Sequence, residues 1–321
     1  MNGILVIDKP GAMTSRDVVN RVQDWFPRKT KIGHTGTLDP LATGVLVVCV
    51  GAATRLADFV QAMGKSYAAR IRLGATSSTD DADGQVIENR EAVAPSRERI
   101  DECLAAFLGE IEQIPPAVSA LKVDGHRAHD LVRRGVDVTH AARTVRVKAI
   151  RVLNYEWPHL DVEIDCGKGT YIRSIARDLG AWLGIGGLVQ TLRRTRVGPF
   201  AADRGIGLDA SAEVVRTRLL PMMTVVSGMA TVRISADDER RLRCGQKIAF
   251  PEGCSRPETS SEDVAILDER GELFGIGRVD GGIQPRIVLG GPPEARVGTT
   301  LPTMPSPESP NPPHSHGPRL N

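Results

Sequence analysis

Hydrophobic and polar positions follow two different rhythms along the first 229 residues, and together they predict both strands and helices. Apolar runs typical of strands occupy Ile4–Asp8, Val45–Val50, Tyr67–Leu73, Val145–Leu153 and Leu160–Cys166. Helical spacing is present within Val18–Phe26, Ile100–Leu108 and Ile172–Leu183. We expect Ser15 and Ser96 to cap the first two helices, because a serine hydroxyl accepts from the free N–H groups of a first turn. The strands lack regular βαβ spacing, which favours an α+β fold with a mixed β-sheet and flanking helices over a doubly wound one.

The pattern changes after residue 229. Short apolar runs then alternate with turns rich in Gly, Pro and Asp, at Ala230–Ile234, Lys247–Phe250, Val264–Leu267, Leu273–Ile276 and Arg286–Leu289. One short helix is predicted to begin at Ser235, with Asp238 completing a capping box. Residues 292–321 contain nine of the 21 prolines and too little apolar surface to offset the entropy of ordering. We therefore predict a first domain over 1–229, a small β-rich domain over 230–290 and a disordered tail over 291–321.

Length and bulk charge narrow the function only slightly. A chain of 321 residues can bury a large core without disulfides or metals. The formal net charge of +2 does not indicate a nucleic-acid-binding protein. The charge is uneven, however, because residues 166–199 hold six basic side chains and one acidic one, and Arg28, Lys29 and Lys31 add more. Such a cluster suits a polyanionic substrate, and a solvated basic face is the alternative.

Cysteine spacing and the absence of long apolar runs predict the compartment. The five cysteines form no CxxC pair; they are Cys49, Cys103, Cys166, Cys244 and Cys254. An odd number at wide spacing is typical of free thiols in a reducing environment. The first apolar run is too short for a signal-peptide core, and no run is long enough to cross a membrane. We expect a cytoplasmic protein with no membrane contact.

A tightly turned loop is the densest chemical signal in the sequence. Residues 33–44 contain three glycines, three threonines and a proline around Asp39, which predicts irregular backbone. The loop leads directly into Val45–Val50, so its side chains lie at the rim of a rigid sheet, where reactive groups are often placed. Asp39 is therefore a candidate reactive group. The alternative is a structural turn in which Asp39 caps its own backbone before Pro40.

A second candidate segment connects a predicted strand to a predicted helix. Residues 166–173 place a Gly-Lys-Gly-Thr sequence at a helix N-terminus, a position that attracts anions. A phosphate-binding loop would need Ser or Thr directly after its Gly-Lys pair, whereas Gly169 follows Lys168. The junction still presents Tyr171 and Arg173, which are either site residues or a packing residue and a solvated charge. Tyr67, at the head of a strand, is either a core residue or a stacking platform for a base.

Taken together, these segments resemble the TruB family of tRNA pseudouridine synthases, which act on uridine 55 of the TΨC loop. Six stretches carry the resemblance, in chain order. The first three are Asp8-Lys9-Pro10 with Thr14-Ser15, the loop 33–44, and Lys65-Ser66-Tyr67. The other three are Leu73-Gly74-Ala75-Thr76 with Asp80-Asp81 and Gly84; Pro115-Pro116 with Ser119-Ala120-Leu121-Lys122, Gly125 and Arg127; and Gly169–Arg173 with Leu192-Arg193-Arg194. The resemblance covers Gly3 to about Phe200. It implies a mixed sheet with flanking helices, an RNA-gripping insertion and a small β-rich, PUA-like C-terminal domain that binds RNA. One departure is His129, where the family usually has a tyrosine.

The resemblance also implies roles for individual residues. Asp39 matches the catalytic aspartate, and Arg173 matches the arginine that pairs with it and favours its ionised form. The other matches are to substrate-binding residues: Tyr67 to the aromatic residue that stacks on the flipped uracil, His34 to the histidine that holds the loop open, and Tyr171 and Leu192 to pocket-lining residues. Lys9 and Pro10 match a segment that we interpret as structural support.

The implied reaction breaks the N-glycosidic bond of uridine and rejoins the turned base through carbon, without a redox change. We therefore expect no cofactor and no metal, and a monomer that binds the tRNA TΨC stem-loop. His126 and His129 lack further ligands at zinc spacing. Residues 80–83 lack the final glutamate of a calcium loop, and we predict a solvated turn there.

Two other functions remain alternatives at this point. One is a chaperone that binds tRNA and helps it fold, with secondary or absent catalysis. The other is a phosphate-binding metabolic enzyme built on Gly167–Thr170, which would bind a nucleotide tightly without RNA.

Overall fold

The computed structural model describes residues 1–123, 125–251 and 262–289. Cys254 and the predicted tail lie outside these ranges, as do parts of the turn-rich segment before Val264. His129 is described by its backbone alone.

The described strands and helices are as follows. The strands are β1 (Gly3–Lys9), β2 (Ile32–His34), β3 (Thr43–Val50), β4 (Lys65–Leu73), β5 (Ala75–Ser77), β6 (Val86–Glu88), β7 (Gly109–Gln113), β8 (Lys122–Val123), β9 (His126–Arg127), β10 (Arg143–Glu156), β11 (His159–Cys166), β12 (Gly187–Val197), β13 (Phe200–Ala201), β14 (Thr231–Arg233), β15 (Asp263–Leu267), β16 (Leu273–Val279) and β17 (Ile283–Val288). The α-helices are α1 (Ser15–Gln23), α2 (Ala57–Ala62), α3 (Arg97–Ala105), α4 (Ala128–Arg133), α5 (Ile172–Trp182), α6 (Ala212–Arg218) and α7 (Ala236–Arg243), and Gly51–Leu56, Ala202–Arg204 and Met222–Val226 form 3-10 helices.

A nine-stranded mixed sheet organises the first part of the chain. Its main path is β1-β3-β12-β4-β11-β10-β7, with β2 added to β3 and β13 to β12. The strands pair antiparallel except for β3 and β12, which run parallel and align Gly44 with Arg194. The predicted α+β fold with a mixed sheet is therefore confirmed, and all five strands predicted in this part are present.

Two apolar layers cover the sheet. One lies between the sheet and helices α1, α3 and α5, and includes Val18, Ile71, Ile100 and Ile175. The other contains Ile4 and Val47 together with side chains of β15 and β16. Because strands β1 and β3 contribute side chains to both layers, nearly every residue in their sequences is apolar.

A separate four-stranded sheet forms near the end of the described chain, in the order β14-β15-β16-β17. Its own core includes Val232, Leu242 and Ile266, which accounts for the β-rich pattern. The run at Lys247–Phe250 is not a strand, because only Ile248 forms an isolated bridge, to Ile283. The division between domains at residues 229 and 230 stays a prediction.

Helix starts differ from the prediction at one position. Thr14, not Ser15, caps α1, and Thr14 and Asp17 form a reciprocal capping box. The predicted caps Ser96 and Ser235 are confirmed. Helix α3 ends at Ala105, short of the predicted Leu108, which is exposed. No described helix has the length and apolar character required to span a membrane.

Candidate active site

A cavity of about 300 Å³ opens where the loop before β3 meets β4, β12 and the start of α5. Five of the predicted site residues line it: Asp39, Tyr67, Tyr171, Arg173 and Leu192. They come from four separate parts of the sequence, and the parallel pairing of β3 with β12 is what joins them. His34 is not among the lining residues; it ends β2, opposite Val48 of β3.

Arg173 is the centre of the polar network in this cavity. Its side chain is 4% exposed, and its Nε lies 3.0 Å from Oδ2 of Asp39. The guanidinium also donates to the main-chain oxygens of Thr79 at 2.8 Å and Val118 at 3.0 Å. Because these bonds fix the position of the guanidinium, they also fix the position at which the Asp39 carboxylate is stabilised most.

Asp81 is the second carboxylate at Arg173, with its Oδ2 3.4 Å from Nη1, and its side chain is only 5% exposed. The prediction of a solvated turn over residues 80–83 is therefore wrong for Asp81, although Ala82 and Asp83 are exposed. Main-chain bonds from Val189 to Asp80 and from Ala82 to Val189 attach this turn to β12. Attachment to the sheet buries Asp81 beneath α5, where Asp80 pairs with Arg177 at 3.0 Å.

Protein packed around the Asp39 carboxyl raises its pKa above the ordinary value, because desolvation disfavours the charged form. Arg173 and Lys9 oppose this shift, whereas Asp81 adds to it. A third of the side chain stays exposed to the cavity. The carboxylate is thus accessible, and Arg173 is the largest influence that favours its ionised form.

Lys9 lies directly behind this loop and is fully buried. Its Nζ donates to the main-chain oxygens of Met13 at 2.6 Å, Pro10 at 2.8 Å and Pro40 at 3.3 Å. Burial lowers its pKa to about 8. Its contacts are with backbone, which agrees with its interpretation as structural support.

Two tyrosines, Tyr67 and Tyr171, line the cavity. Tyr67 is buried on β4 between Ile164 of β11 and Arg194 of β12, and burial raises its pKa. Tyr171 precedes α5, and its pKa is likewise raised by burial. The Gln113 carboxamide donates to the Tyr171 carbonyl at 3.1 Å and accepts from its N–H at 2.8 Å. These bonds replace a strand partner and set the position of Tyr171.

The basic cluster over 166–199 is divided, because Arg173 and Arg194 are buried whereas Lys168 and Arg196 are exposed. Arg173 and Arg177 pair with the carboxylates described above, and Arg193 pairs with Asp8 at 2.8 Å. Arg194 donates to main-chain oxygens. Lys168 lines the cavity, together with Lys65, whose pKa burial lowers to about 8. Positive charge near the cavity is therefore local, at its rim and in its floor.

The sequence interpretation missed Gln113, Asp81 and the strand β12 itself. The arginines at 193, 194 and 196 interrupt the apolar pattern of β12, so the sequence did not indicate a strand there. In the fold, Leu192, Arg194 and Val197 are buried. Within the ranges described, no three His, Cys, Asp or Glu side chains are grouped so that they could hold a metal.

Solved structures with this architecture include two multicomponent assemblies. One is titled "Structure of H/ACA RNP bound to a substrate RNA containing 2'-deoxyuridine"; it has a TM-score of 0.69 and 25% identity, and covers 90% of this chain and 85% of that one. The other is a Cbf5-Nop10-Gar1 complex with a TM-score of 0.69, 27% identity and coverage of 89% and 84%.

Sequence comparison points the same way. The "tRNA pseudouridine synthase B" of Mycobacterium tuberculosis (strain ATCC 25618 / H37Rv) is 43% identical over 284 residues, which are 87% of this chain and 92% of that protein. That of Mycobacterium sp. (strain KMS) is 50% identical over 218 residues, 67% and 73% of the two chains. That of Gloeothece citriformis (strain PCC 7424) is 41% identical over 285 residues, 87% and 91%.

The shared fold and these relatives define the class as a pseudouridine synthase, an isomerase. The pattern of the TruB family pseudouridylate synthase N-terminal domain matches residues 24–172, and that of the tRNA pseudouridylate synthase B C-terminal domain matches residues 173–226. The chain belongs to the TruB family of pseudouridylate synthases.

Proposed function

We propose that this enzyme converts uridine 55 in the TΨC loop of tRNA to pseudouridine, with Asp39 as the catalytic carboxylate. The observation that carries the proposal is an accessible Asp39 carboxylate, 3.0 Å from a buried arginine, in a cavity walled by two tyrosines. The names of the relatives support tRNA as the substrate.

The chemistry needs no external reactant. The N1–C1′ bond of the nucleotide breaks, the uracil turns, and a C5–C1′ bond forms. The proton lost from C5 is balanced by the proton gained at N1. Asp39 acts on the ribose or the base in its ionised form, and Arg173 favours that form.

Each cavity residue has its own proposed contact with the extruded base. Tyr67 stacks on the uracil, and base–aromatic stacking contributes roughly 1–3 kcal/mol, comparable to the few kcal/mol that extrusion costs. Tyr171 and Leu192 line the pocket. His34, next to the Asp39 loop but outside the cavity lining, holds the RNA loop open after the base has left it.

We assign the rest of the RNA contact more coarsely. Lys65 and Lys168 at the cavity rim suit the phosphates that flank the target. The sheet formed by β14–β17 is the proposed RNA-binding C-terminal domain. We further propose that the enzyme acts as a monomer.

The test is Asp39→Asn assayed on an unmodified tRNA transcript, with pseudouridine mapped by position. We expect loss of turnover with tRNA binding retained. Asp24→Asn is the matched control, since Asp24 pairs with Arg21 on an exposed helix end, and it should behave as wild type. A transcript with cytidine at position 55 should acquire no pseudouridine.

One result would contradict the proposal, and another would add a second function. Full turnover by Asp39→Asn would remove the catalytic assignment. Rescue of a tRNA-folding defect by the inactive Asp39→Asn protein would instead reveal a chaperone function that does not depend on catalysis.

A further inference from the structure

The loop that carries Asp39 forms no helix or strand over residues 35–42, and its main-chain bonds are from Thr35 to Val47 and from Ala42 to Asp39. Between β2 and β3, the carbonyls around Asp39 are instead taken by side chains from other elements. Lys9 of β1 donates to Pro40, immediately after the aspartate. Two further side chains, Arg194 and Ser15, hold the residues immediately before it.

Arg194 of β12 makes two of these bonds and a third to strand β3. Its Nη2 donates to the oxygen of Gly36 at 3.1 Å, its Nη1 to that of Thr37 at 3.4 Å, and its Nε to that of Val45 at 2.7 Å. The residue is 2% exposed, so its guanidinium is directed at the backbone of the loop and at the strand that follows.

The strand pairing explains why Arg194 reaches both ends of the loop. Arg194 aligns with Gly44, where the loop ends and β3 continues. Gly44 has a φ of 95°, and a Cβ there would lie 2.2 Å from the Arg194 carbonyl oxygen. Only glycine permits this close approach, and the approach brings the Arg194 side chain beneath the loop.

Ser15 holds the residue between Thr37 and Asp39. Its Oγ accepts from the Leu38 N–H at 2.9 Å and donates to the Leu38 carbonyl at 3.1 Å. Ser15 is buried within the first turn of α1. Its hydroxyl therefore replaces both bonds that a neighbouring strand would make with Leu38.

We propose that Arg194 is a positioning residue for Asp39: with Ser15, it fixes the backbone of the catalytic loop. Arg194 lines the cavity, but its guanidinium is bonded to the protein backbone and in this proposal does not bind RNA. The inference rests on the proposed catalytic role of Asp39. Its physical basis is that catalysis depends on placement, since a displacement of about 1 Å can cost on the order of 100-fold in rate. A Lys at 194 would keep the charge but supply one donor group where the fork supplies three.

The test compares Arg194→Lys with Arg193→Lys, its neighbour on the strand. Arg193 points to the other face and pairs with Asp8, with 41% of its side chain exposed. We expect Arg194→Lys to lower kcat at least tenfold with KM within about twofold, and Arg193→Lys to match wild type. Hydrogen exchange should become faster in the peptide covering residues 35–42, and should be unchanged in β4 and β11.

A second variant covers a folding failure. If Arg194→Lys does not fold by circular dichroism, Ser15→Ala should show the same fall in kcat and the same local exchange. Failure of both variants to fold would assign these side chains to the stability of the fold and overturn the proposal.

The remaining outcomes separate the two proposals. A rise in KM alone would mean that Arg194 contacts RNA, and kcat within twofold of wild type in folded Arg194→Lys would mean that the loop does not need it. Either result, with Asp39→Asn inactive, overturns the inference alone. An active Asp39→Asn overturns the proposed function first.

Discussion

Removing the charge of Arg173 should move the acid limb of the pH–rate profile to higher pH. Arg173 is the strongest influence that lowers the pKa of Asp39, against a burial effect that raises it. Arg173→Gln removes that influence, so the carboxyl holds its proton to a higher pH. Because catalysis needs ionised Asp39, activity at acidic pH should fall further in the variant than in the wild type.

The size of the displacement follows from the geometry. Opposite charges 3.0 Å apart attract by about 5 kcal/mol at an effective dielectric constant near 20. A third of the Asp39 side chain is exposed, so water screens part of this attraction. We therefore expect the acid limb to move by about 1–3 pH units, the usual effect of a neighbouring opposite charge on a carboxyl.

The assay is kcat/KM for pseudouridine formation across a pH range, measured on one tRNA transcript. At a pH below both acid limbs, a limb displaced upward by about one pH unit lowers activity about tenfold relative to wild type. Arg173→Lys retains a charge, so its acid limb should move less than that of Arg173→Gln even where kcat falls. Arg177→Gln, which breaks the pairs with Asp80 and Asp178, is the control and should leave the acid limb in place.

An acid limb in Arg173→Gln at the same pH as in the wild type, or at a lower pH, would contradict the expected upward displacement. That result would mean that the guanidinium does not set the charge of Asp39, or that Asp39 ionisation does not limit the reaction.

Three further predictions concern stacking, positioning and linkage. Tyr67→Ala should lower kcat/KM by about 5- to 150-fold, equivalent to 1–3 kcal/mol of lost stacking. Tyr67→Phe keeps an aromatic ring and should retain RNA binding. An equal loss of RNA affinity in titrations of both variants would contradict stacking. Gln113→Ala leaves the N–H of Tyr171 without its partner, while the C=O keeps only the bond from the Ile175 N–H. The free energy of unfolding in urea should therefore fall by about 1–3 kcal/mol, and an unchanged midpoint would refute this. Since burial lowers the pKa of Lys9 and Lys65 from 10.5 to about 8, the unfolded chain binds more protons between those values, and stability should rise from pH 8 to pH 10.5. Lys9→Met should reduce that slope, and a slope that is the same in both proteins would exclude Lys9 as its source.

Local patterns were enough for much of the architecture. The strand β1 and the helix α5 are evident from the sequence because each has one strongly apolar face or run. The caps at Ser96 and Ser235 are short-range bonds to residues three positions away. Ser15 misled the interpretation because its hydroxyl bonds to Leu38, 23 residues further along the chain.

The residues of the candidate site likewise fall into those that the sequence indicates and those that depend on distant contacts. Asp39, Tyr67 and Arg173 stand in short motifs whose order along the chain matches a family, so sequence alone was sufficient to nominate them. Asp81 had no such signal, because its burial depends on the attachment of its turn to β12.

What the sequence determined by itself is therefore the set of elements with strong local periodicity and the residues capable of the chemistry. The tertiary structure decided which charges face inward. The arginines of β12 look alike in sequence, yet Arg193 reaches a surface carboxylate and Arg194 supports the Asp39 loop. This follows because successive side chains of a strand point to opposite faces of the sheet, and the elements packed on each face determine which side chains are buried.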